Sequence, residues 1–326
     1  MTAQTGEFTR LRPLLFSVAY RMLGTASDVD DVLQEAWLRY AAASGVRDPK
    51  PYLVQVVTRL CLDLLDSARV RRERYVGPWL PEPVLTGVGA GRGAVGTVAS
   101  APAAIEPELV AERREQLSLG AVALLERLSP AERAVLVLRE GLDYSHQEIA
   151  DAVGVSVESS RQLLSRARQR VAGGPARQDA DPAEHQRLLT AMLAAFGGGD
   201  TASLVDLLRA DVRVISDGGG EVKAALREVT GRDKTVRFLS ALWPQFPAGA
   251  RLEPAELNGI PSLLALAEDR LLFVIALEVS EERIDQVLIV TAPSKLRYLA
   301  GQLGGKTAAP EDILRPGPRR DGRRPE

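Results

Sequence analysis

Residues 144–171 read YSHQEIADAVGVSVESSRQLLSRARQRV. Ser145-His146-Gln147-Glu148 has the form of a capping box, in which a serine hydroxyl and a glutamate carboxylate satisfy orphan N–H groups at a helix start. Ile149, Ala150 and Val153 then share one face, Gly154 supplies a tight turn and Ser156 caps a second helix. The spacing predicts that this second helix turns Val157, Leu164, Ala167 and Val171 inward. Outward it presents Glu158, Ser159, Arg161, Gln162, Ser165, Arg166 and Arg168. Arg and Gln in the first turns of a helix can hydrogen-bond base edges in the major groove, and arginines further along can meet phosphates. A solvated helical hairpin would carry the same charges, so the pattern points to DNA without deciding it.

Working outward, residues 107–173 are helical, with an apolar stripe of Leu117, Ala121, Leu124, Leu125 and Leu128. Ser129-Pro130 starts the next helix at its first turn, where proline loses no hydrogen bond. Residues 7–76 also have helical period: Leu11, Leu14, Leu15, Val18, Ala19 and Met22, a break at Gly24-Thr25, then a helix from Ser27-Asp28. That second helix carries Val29, Val32, Leu33 and Trp37 on one face and Asp28, Asp31, Gln34 and Glu35 on another. Asp48-Pro49-Lys50-Pro51 marks a turn, and a third helix runs from about Tyr52 to Arg72. Between the two helical blocks, residues 77–106 form a linker, and from residue 84 it is rich in Gly, Ala, Pro, Val and Thr and reads as flexible. From 184 to 304 the period shifts. Two short helices (184–196 and 201–208) precede stretches of period two at 212–216, 252–257, 263–267, 271–279 and 284–290, with a helix at 233–246. This predicts an α+β domain with an antiparallel sheet. Residues 305–326 are expected to be a disordered tail, Pro-, Gly- and Arg-rich from Thr307.

The chain has 326 residues and a formal net charge of −2, so any contact with nucleic acid must come from local basic patches. A single cysteine, Cys61, excludes an internal disulfide, and with only two histidines, His146 and His185, a cysteine-rich zinc site is excluded too. No metal or cofactor is expected. Residues 1–9 are polar, without the apolar core of a secretory signal, and no window approaches the roughly 18 apolar residues of a membrane span, so no membrane contact and a cytoplasmic location are expected.

Read together, the two helical blocks resemble a known family. Residues 28–37 (DVDDVLQEAW) resemble the polymerase-binding helix of sigma-70 region 2, and residues 128–140 (LSPAERAVLVLRE), followed by Glu148-Ile149-Ala150, look like the start of region 4. Region 2, linker and region 4 without region 3 is the order of extracytoplasmic-function sigma factors. Residues 75–83 (YVGPWLPEP), with Ser216-Asp217-Gly218-Gly219-Gly220 and Gly231-Arg232-Asp233, are similar to motifs of the sigma factors fused to a SnoaL-like domain, the sigma factor J type. Two positions depart from the pattern. Residues 292–296 read APSKL where many members have Asn-Pro-Asp-Lys-Leu, and Ser160 stands where the broader family has an apolar residue.

The resemblance implies two all-α sigma domains, the second with the helix-turn-helix, and a C-terminal α+β SnoaL/cystatin-like cone. It implies a factor that directs core RNA polymerase to promoter DNA and initiates transcription, with the C-terminal domain modulating it. Asp28, Asp31, Gln34 and Glu35 would dock on the clamp of the largest polymerase subunit, and region 4 on the flap of the second-largest. Arg59, Asp63, Arg69, Arg71, Arg72 and Arg74, with the loop 44–50, would face the minus-ten element. Glu158, Ser159, Arg161, Gln162, Ser165, Arg166 and Arg168 would read the minus-thirty-five element. Trp79, Pro81 and Glu82 are expected to form a regulatory contact with Asp217, Gly218, Gly219 and Gly220. Two alternatives stand beside this: a fusion whose C-terminal domain binds or converts an unknown small ligand, and a repressor that binds DNA without polymerase. Asp217 is the one candidate general base for the enzymatic reading. Its place at a strand end before three glycines is explained more simply by a turn, so no catalytic residue is assigned.

Overall fold

A computed structural model describes residues 3–72, 75–86, 118–172, 182–198, 200–242, 245, 247 and 249–313. Most of the linker, Arg74, the side chains of Arg69, Arg71 and Arg72, and residues 314–326 lie outside the description.

Three helices come first: α1 (Ala3–Leu23), α2 (Ala26–Ala42) and α3 (Pro49–Arg72). Gly24, at φ +69°, separates α1 from α2. The third helix begins at Pro49 rather than Tyr52, because prolines at a first turn surrender no intrahelical bond. After the linker come α4 (Leu119–Leu125), α5 (Pro130–Leu142), α6 (His146–Val153) and α7 (Val157–Val171). Both blocks contribute to one apolar core. Leu15, Val18, Met22, Val32, Leu53 and Val57 belong to the same buried cluster as Val135, Leu138, Ile149, Leu164 and Ala167. Each such side chain contributes about 1.5–3 kcal/mol on burial, so the two helical domains are held against each other and not merely tethered.

The C-terminal part adds α8 (Pro182–Gly198), α9 (Thr201–Leu207), β1 (Leu208–Asp217), β2 (Val229–Thr230), α10 (Arg232–Leu242), β3 (Arg251–Leu257), β4 (Ile260–Ala267), β5 (Arg270–Ser280), β6 (Arg283–Val290), α11 (Pro293–Gln302), β7 (Lys306–Thr307) and α12 (Pro310–Ile313). The strand order is β2-β1-β6-β5-β4-β3, with β7 beside β5. The fold is the expected α+β, but the sheet is mixed rather than antiparallel. β1 pairs with β6 in parallel, and so does β7 with β5. Period two reports which face is buried; it carries no information on strand direction, which α10 and the β3–β5 meander set by returning the chain beside β1.

Two further expectations are corrected. Residues 305–313 are not a disordered tail: Lys306 and Thr307 pair with β5, and Ile313 is fully buried. Nor does the flexible stretch begin at residue 84: Val84 and Thr86 are buried, and Thr86 N–H donates to the Glu256 carbonyl at 3.0 Å.

Both faces of the sheet are covered. Leu272, Phe273, Ile275, Leu277 and Val279 of β5 face one core with α8 and α10, through Leu188, Leu189, Met192 and Leu239. Leu271, Val274 and Ala276 face a second core that holds Leu80 of the linker, Leu119 of α4 and Leu296 and Leu299 of α11. The second face is therefore an interface with the helical domains.

Candidate functional site

The helix pair α6–α7 is built by local chemistry. Ser145 and Glu148 form the capping box, Gly154 ends α6 at φ +81°, and the Ser156 hydroxyl accepts from Ser159 N–H at 3.0 Å. Leu164 and Ala167 are buried; Val157 and Val171 are half-buried. Ser160, the residue out of pattern, is fully buried, and its hydroxyl meets His146 Nδ1 at 2.9 Å. That bond offsets the cost of a hydroxyl in the seam. Glu158, Arg161, Gln162, Ser165, Arg166 and Arg168 are exposed on the opposite face, and Ser159 half-buried. Arg168 pairs with Glu140 at 2.5 Å and Arg161 with Glu158 at 3.6 Å.

On α2, Asp31 and Gln34 are exposed, and Glu35 pairs with Arg39 at 2.8 Å. Asp28 accepts from the Thr25 hydroxyl at 2.6 Å, at the helix start. Asp63 on α3 is exposed, whereas Arg59 donates to the Asp151 and Ala152 carbonyls at 3.0 and 3.4 Å. Gln55 donates to the same Asp151 carbonyl at 2.7 Å. Two side chains of α3 thus cap the C-terminal end of α6. A second tie joins Arg133 of α5 to the Met22 carbonyl at 2.6 Å.

A buried polar cluster lies at the strap formed by residues 75–86. Asp217, at the end of β1, is fully buried. Its carboxylate accepts from Leu80 N–H at 2.7 Å, Tyr75 O–H at 2.6 Å and Gly219 N–H at 3.0 Å, and pairs with Lys295 Nζ at 2.5 Å. Lys295 also donates to the Leu80 carbonyl and lies 4.2 Å from the Trp79 ring centroid and 4.6 Å from that of Tyr75. Burial and the Asp217 charge push the Tyr75 hydroxyl far above its usual range. Gly219 and Gly220 have positive φ, and a Cβ on either would press on Tyr75 O–H (3.1 Å) or Val76 (3.2 Å), so the glycines let the turn close on the strap.

The other side of the strap grips the first helical domain. A Cβ on Gly24 would lie 2.4 Å from Trp79. Glu82 N–H donates to the Gly24 carbonyl at 2.8 Å, and its carboxylate accepts from Ser27 N–H and O–H, both at 3.0 Å, at the start of α2. Burial raises the Glu82 carboxyl pKa against these bonds. Tyr20 O–H donates to the Glu82 carbonyl at 2.5 Å and accepts from Asn258 Nδ2 at 2.8 Å, linking α1, strap and sheet. Trp79 therefore touches both the first helical domain and the C-terminal domain. On α11, Tyr298 bonds Asp30 of α2; burial first, then the Asp30 charge, push its hydroxyl up to about 12. The second helical domain is tied to the sheet as well, through Gly120 N–H to the buried Glu278 at 3.0 Å.

Comparison with known proteins bears on both helical blocks. The sigma-70 region 2 family matches residues 8–71 and sigma-70 region 4 matches residues 120–171. The ECF RNA polymerase sigma factor SigJ of Mycobacterium tuberculosis is 41% identical over 249 residues, 76% of this chain and 75% of its own. This chain belongs to the ECF sigma factors. The probable ECF sigma factor SigI of the same organism is 30% identical over 297 residues, covering 90% of this chain and 95% of its own. The crystal structure of M. tuberculosis SigJ superposes with a TM-score of 0.71 at 33% identity, covering 90% of this chain and 98% of that one. The sigma domains are thus followed by an α+β domain in this factor as in that structure.

The sequence of this sigma factor does not mark several residues of the strap cluster. Tyr75 and Lys295 lie in quoted motifs, yet nothing in the spacing shows that they share one carboxylate. Of APSKL, the lysine makes the ion pair, while Ser294 bonds Glu221 at the surface. Gly24, Ser27 and Asn258 carry no signal of partners 55 to 238 positions away. Among the described residues no helix is long and apolar enough to cross a membrane, and no group of three or more His, Cys, Asp or Glu side chains could hold a metal.

Proposed function

We propose that this ECF sigma factor directs core RNA polymerase to its promoters from a stapled resting state, and that the C-terminal domain sets how readily the staple opens. The observation that carries this is Asp217, whose carboxylate joins the strap to the sheet while the same strap holds α2 through Glu82 and Ser27. Asp31, Gln34 and Glu35, with Asp28 at the helix start, dock on the clamp of the largest polymerase subunit by charge complementarity. Region 4 seats on the flap of the second-largest subunit. Asp63 and the arginines ending α3, with the loop 44–50, face the minus-ten element, and the exposed face of α7 reads the minus-thirty-five element. By their names the two elements lie roughly 25 base pairs apart, about 85 Å at ~3.4 Å per pair. Two domains sharing one core cannot reach both, so the α3–α6 contact must part and release Arg59 from its carbonyls.

The C-terminal domain acts in this reading as a restraint and not as a catalyst, because Asp217, its candidate base, is spent on the strap. The decisive experiment is run-off transcription with core polymerase using the full chain and Asp217→Asn, with Glu278→Gln as a second variant on the region 4 tie. Both are expected to raise transcript several-fold at limiting factor, while binding to core polymerase is kept. A folded Asp217→Asn protein with unchanged output would refute the staple. Failure of the wild-type chain to associate with core polymerase at low salt would refute the docking face.

A further inference from the structure

On the side of the sheet away from the strap lies a cavity of about 190 Å³. Phe238 and Leu242 of α10, Phe273 of β5 and Ile289 of β6 wall it with apolar surface, and Ala224 and Ala225 close one end. Its polar groups are Ser216, Thr291, Gln245 and Lys223. The alternation of β1 explains its position. Val212, Val214 and Ser216 face inward, whereas Ile215 and Asp217 face the strap. Ser216 is 4% exposed, and its hydroxyl has no hydrogen-bond partner among the described residues. The hydroxyl lines the cavity and is available to donate to a polar atom inside it. Thr291 donates to the Asp217 carbonyl at 3.1 Å and keeps its own acceptor capacity. Lys223 is exposed, with no ion pair among the described residues, and the lining holds no acidic side chain.

We propose that this cavity binds a small aromatic carboxylate, and that its occupancy is coupled to the strap. This rests on the staple reading above. A cavity of about 150 Å³ is enough for benzene, and drug-sized sites begin at roughly 300 Å³, so a single ring suits the space. The two phenylalanines and Ile289 take the ring, Ser216 donates to the carboxylate, and Lys223 supplies the charge. The coupling runs through a shared wall. Ser216 and Asp217 are consecutive residues on opposite faces of β1. A Cβ on Gly218 would lie 2.9 Å from Ala224 Cβ, and one on Gly77 of the strap 3.9 Å from the Ala225 carbonyl. A ligand that fixes residues 216–225 therefore fixes the surface on which the strap sits.

The test uses fluorine NMR on the full chain with 4-fluorobenzoate, 4-fluorobenzyl alcohol and 4-fluorobenzylamine as probes. Saturable binding of the benzoate is expected, about ten-fold tighter than the alcohol, with the amine not bound. Lys223→Met, at an exposed site, should bring the benzoate to the level of the alcohol, and Ser216→Ala should weaken it about five-fold. No saturable binding, equal binding of all three probes, or indifference to Lys223→Met would overturn the site. In the same samples, benzoate should slow hydrogen exchange of the Leu80 amide several-fold. Binding that leaves Leu80 exchange unchanged would overturn the coupling alone, because the staple is judged separately by transcription from Asp217→Asn. Should that transcription be normal, the fluorine titration still decides whether the cavity is a ligand site.

Discussion

The helix pair α6–α7 and the strap are built by opposite means. α6 and α7 owe their geometry to neighbours within a few positions: two serine caps, one capping box and one glycine turn. The outward face of α7 is exposed, and its charges pair weakly across solvent, as Arg161 and Glu158 do at 3.6 Å. The strap has no regular structure of its own. It is held by Asp217, Lys295, Asn258 and Gly24, drawn from distant points of the chain and mostly buried. A surface of the first kind can change its reading without loss of stability. A joint of the second kind cannot change its chemistry without changing the fold around it.

Four measurements would break or sharpen this contrast. Lys295→Met should have the largest effect, about 3–5 kcal/mol in urea unfolding, because it leaves the Asp217 carboxylate buried without its counter-charge. The Asp217→Asn/Lys295→Met double variant should recover part of that loss; full additivity would show that the two groups do not interact. Acid comes next. Burial pulls the His185 imidazole down to about 4 from 6.5, so the unfolded chain takes up its proton first. Stability should therefore fall as pH drops from about 6.5 towards 4, by at most about 3 kcal/mol, and level off below. His185→Phe should flatten that slope, and an unchanged slope would remove His185 as its source. Gly24→Ala should cost about 1–3 kcal/mol, from the positive φ and the clash with Trp79. Trp79→Leu in the same chain should relieve the clash but not the backbone strain. Arg161→Ala should shift stability by less than about 0.5 kcal/mol, yet weaken promoter binding by the holoenzyme by about 1–3 kcal/mol. If Arg161→Ala unfolds the protein, or Lys295→Met leaves its stability intact, the contrast fails.

The helices, caps and turn of residues 144–171 are legible in the sequence because caps, turn and apolar period act within a few residues of each other. The same is true of α1, α2 and α5. Ser160 shows the limit even there: a serine on an inward face looks like a defect until His146, fourteen positions earlier, is seen to bond it. Strand direction is not legible in the sequence because β1 and β6, which pair in parallel, are separated by some seventy residues. The run at 305–313 has the composition of a tail, and only its pairing with β5 and the burial of Ile313 make it part of the domain.

By itself, then, the sequence determined the two helical sigma domains, the α+β character of the third, the exposed face of α7 and the motifs of the strap, since each depends on short-range period, capping or a contiguous run of residues. The tertiary structure alone decided that Leu80, Tyr75 and Lys295 converge on one carboxylate, that Trp79 lies against Gly24, that α3 caps α6, and that a cavity backs onto β1. Those arrangements depend on burial and on hydrogen bonds between residues up to 238 positions apart. No local pattern encodes such pairs; they exist only once packing has excluded the water that would otherwise satisfy each group separately.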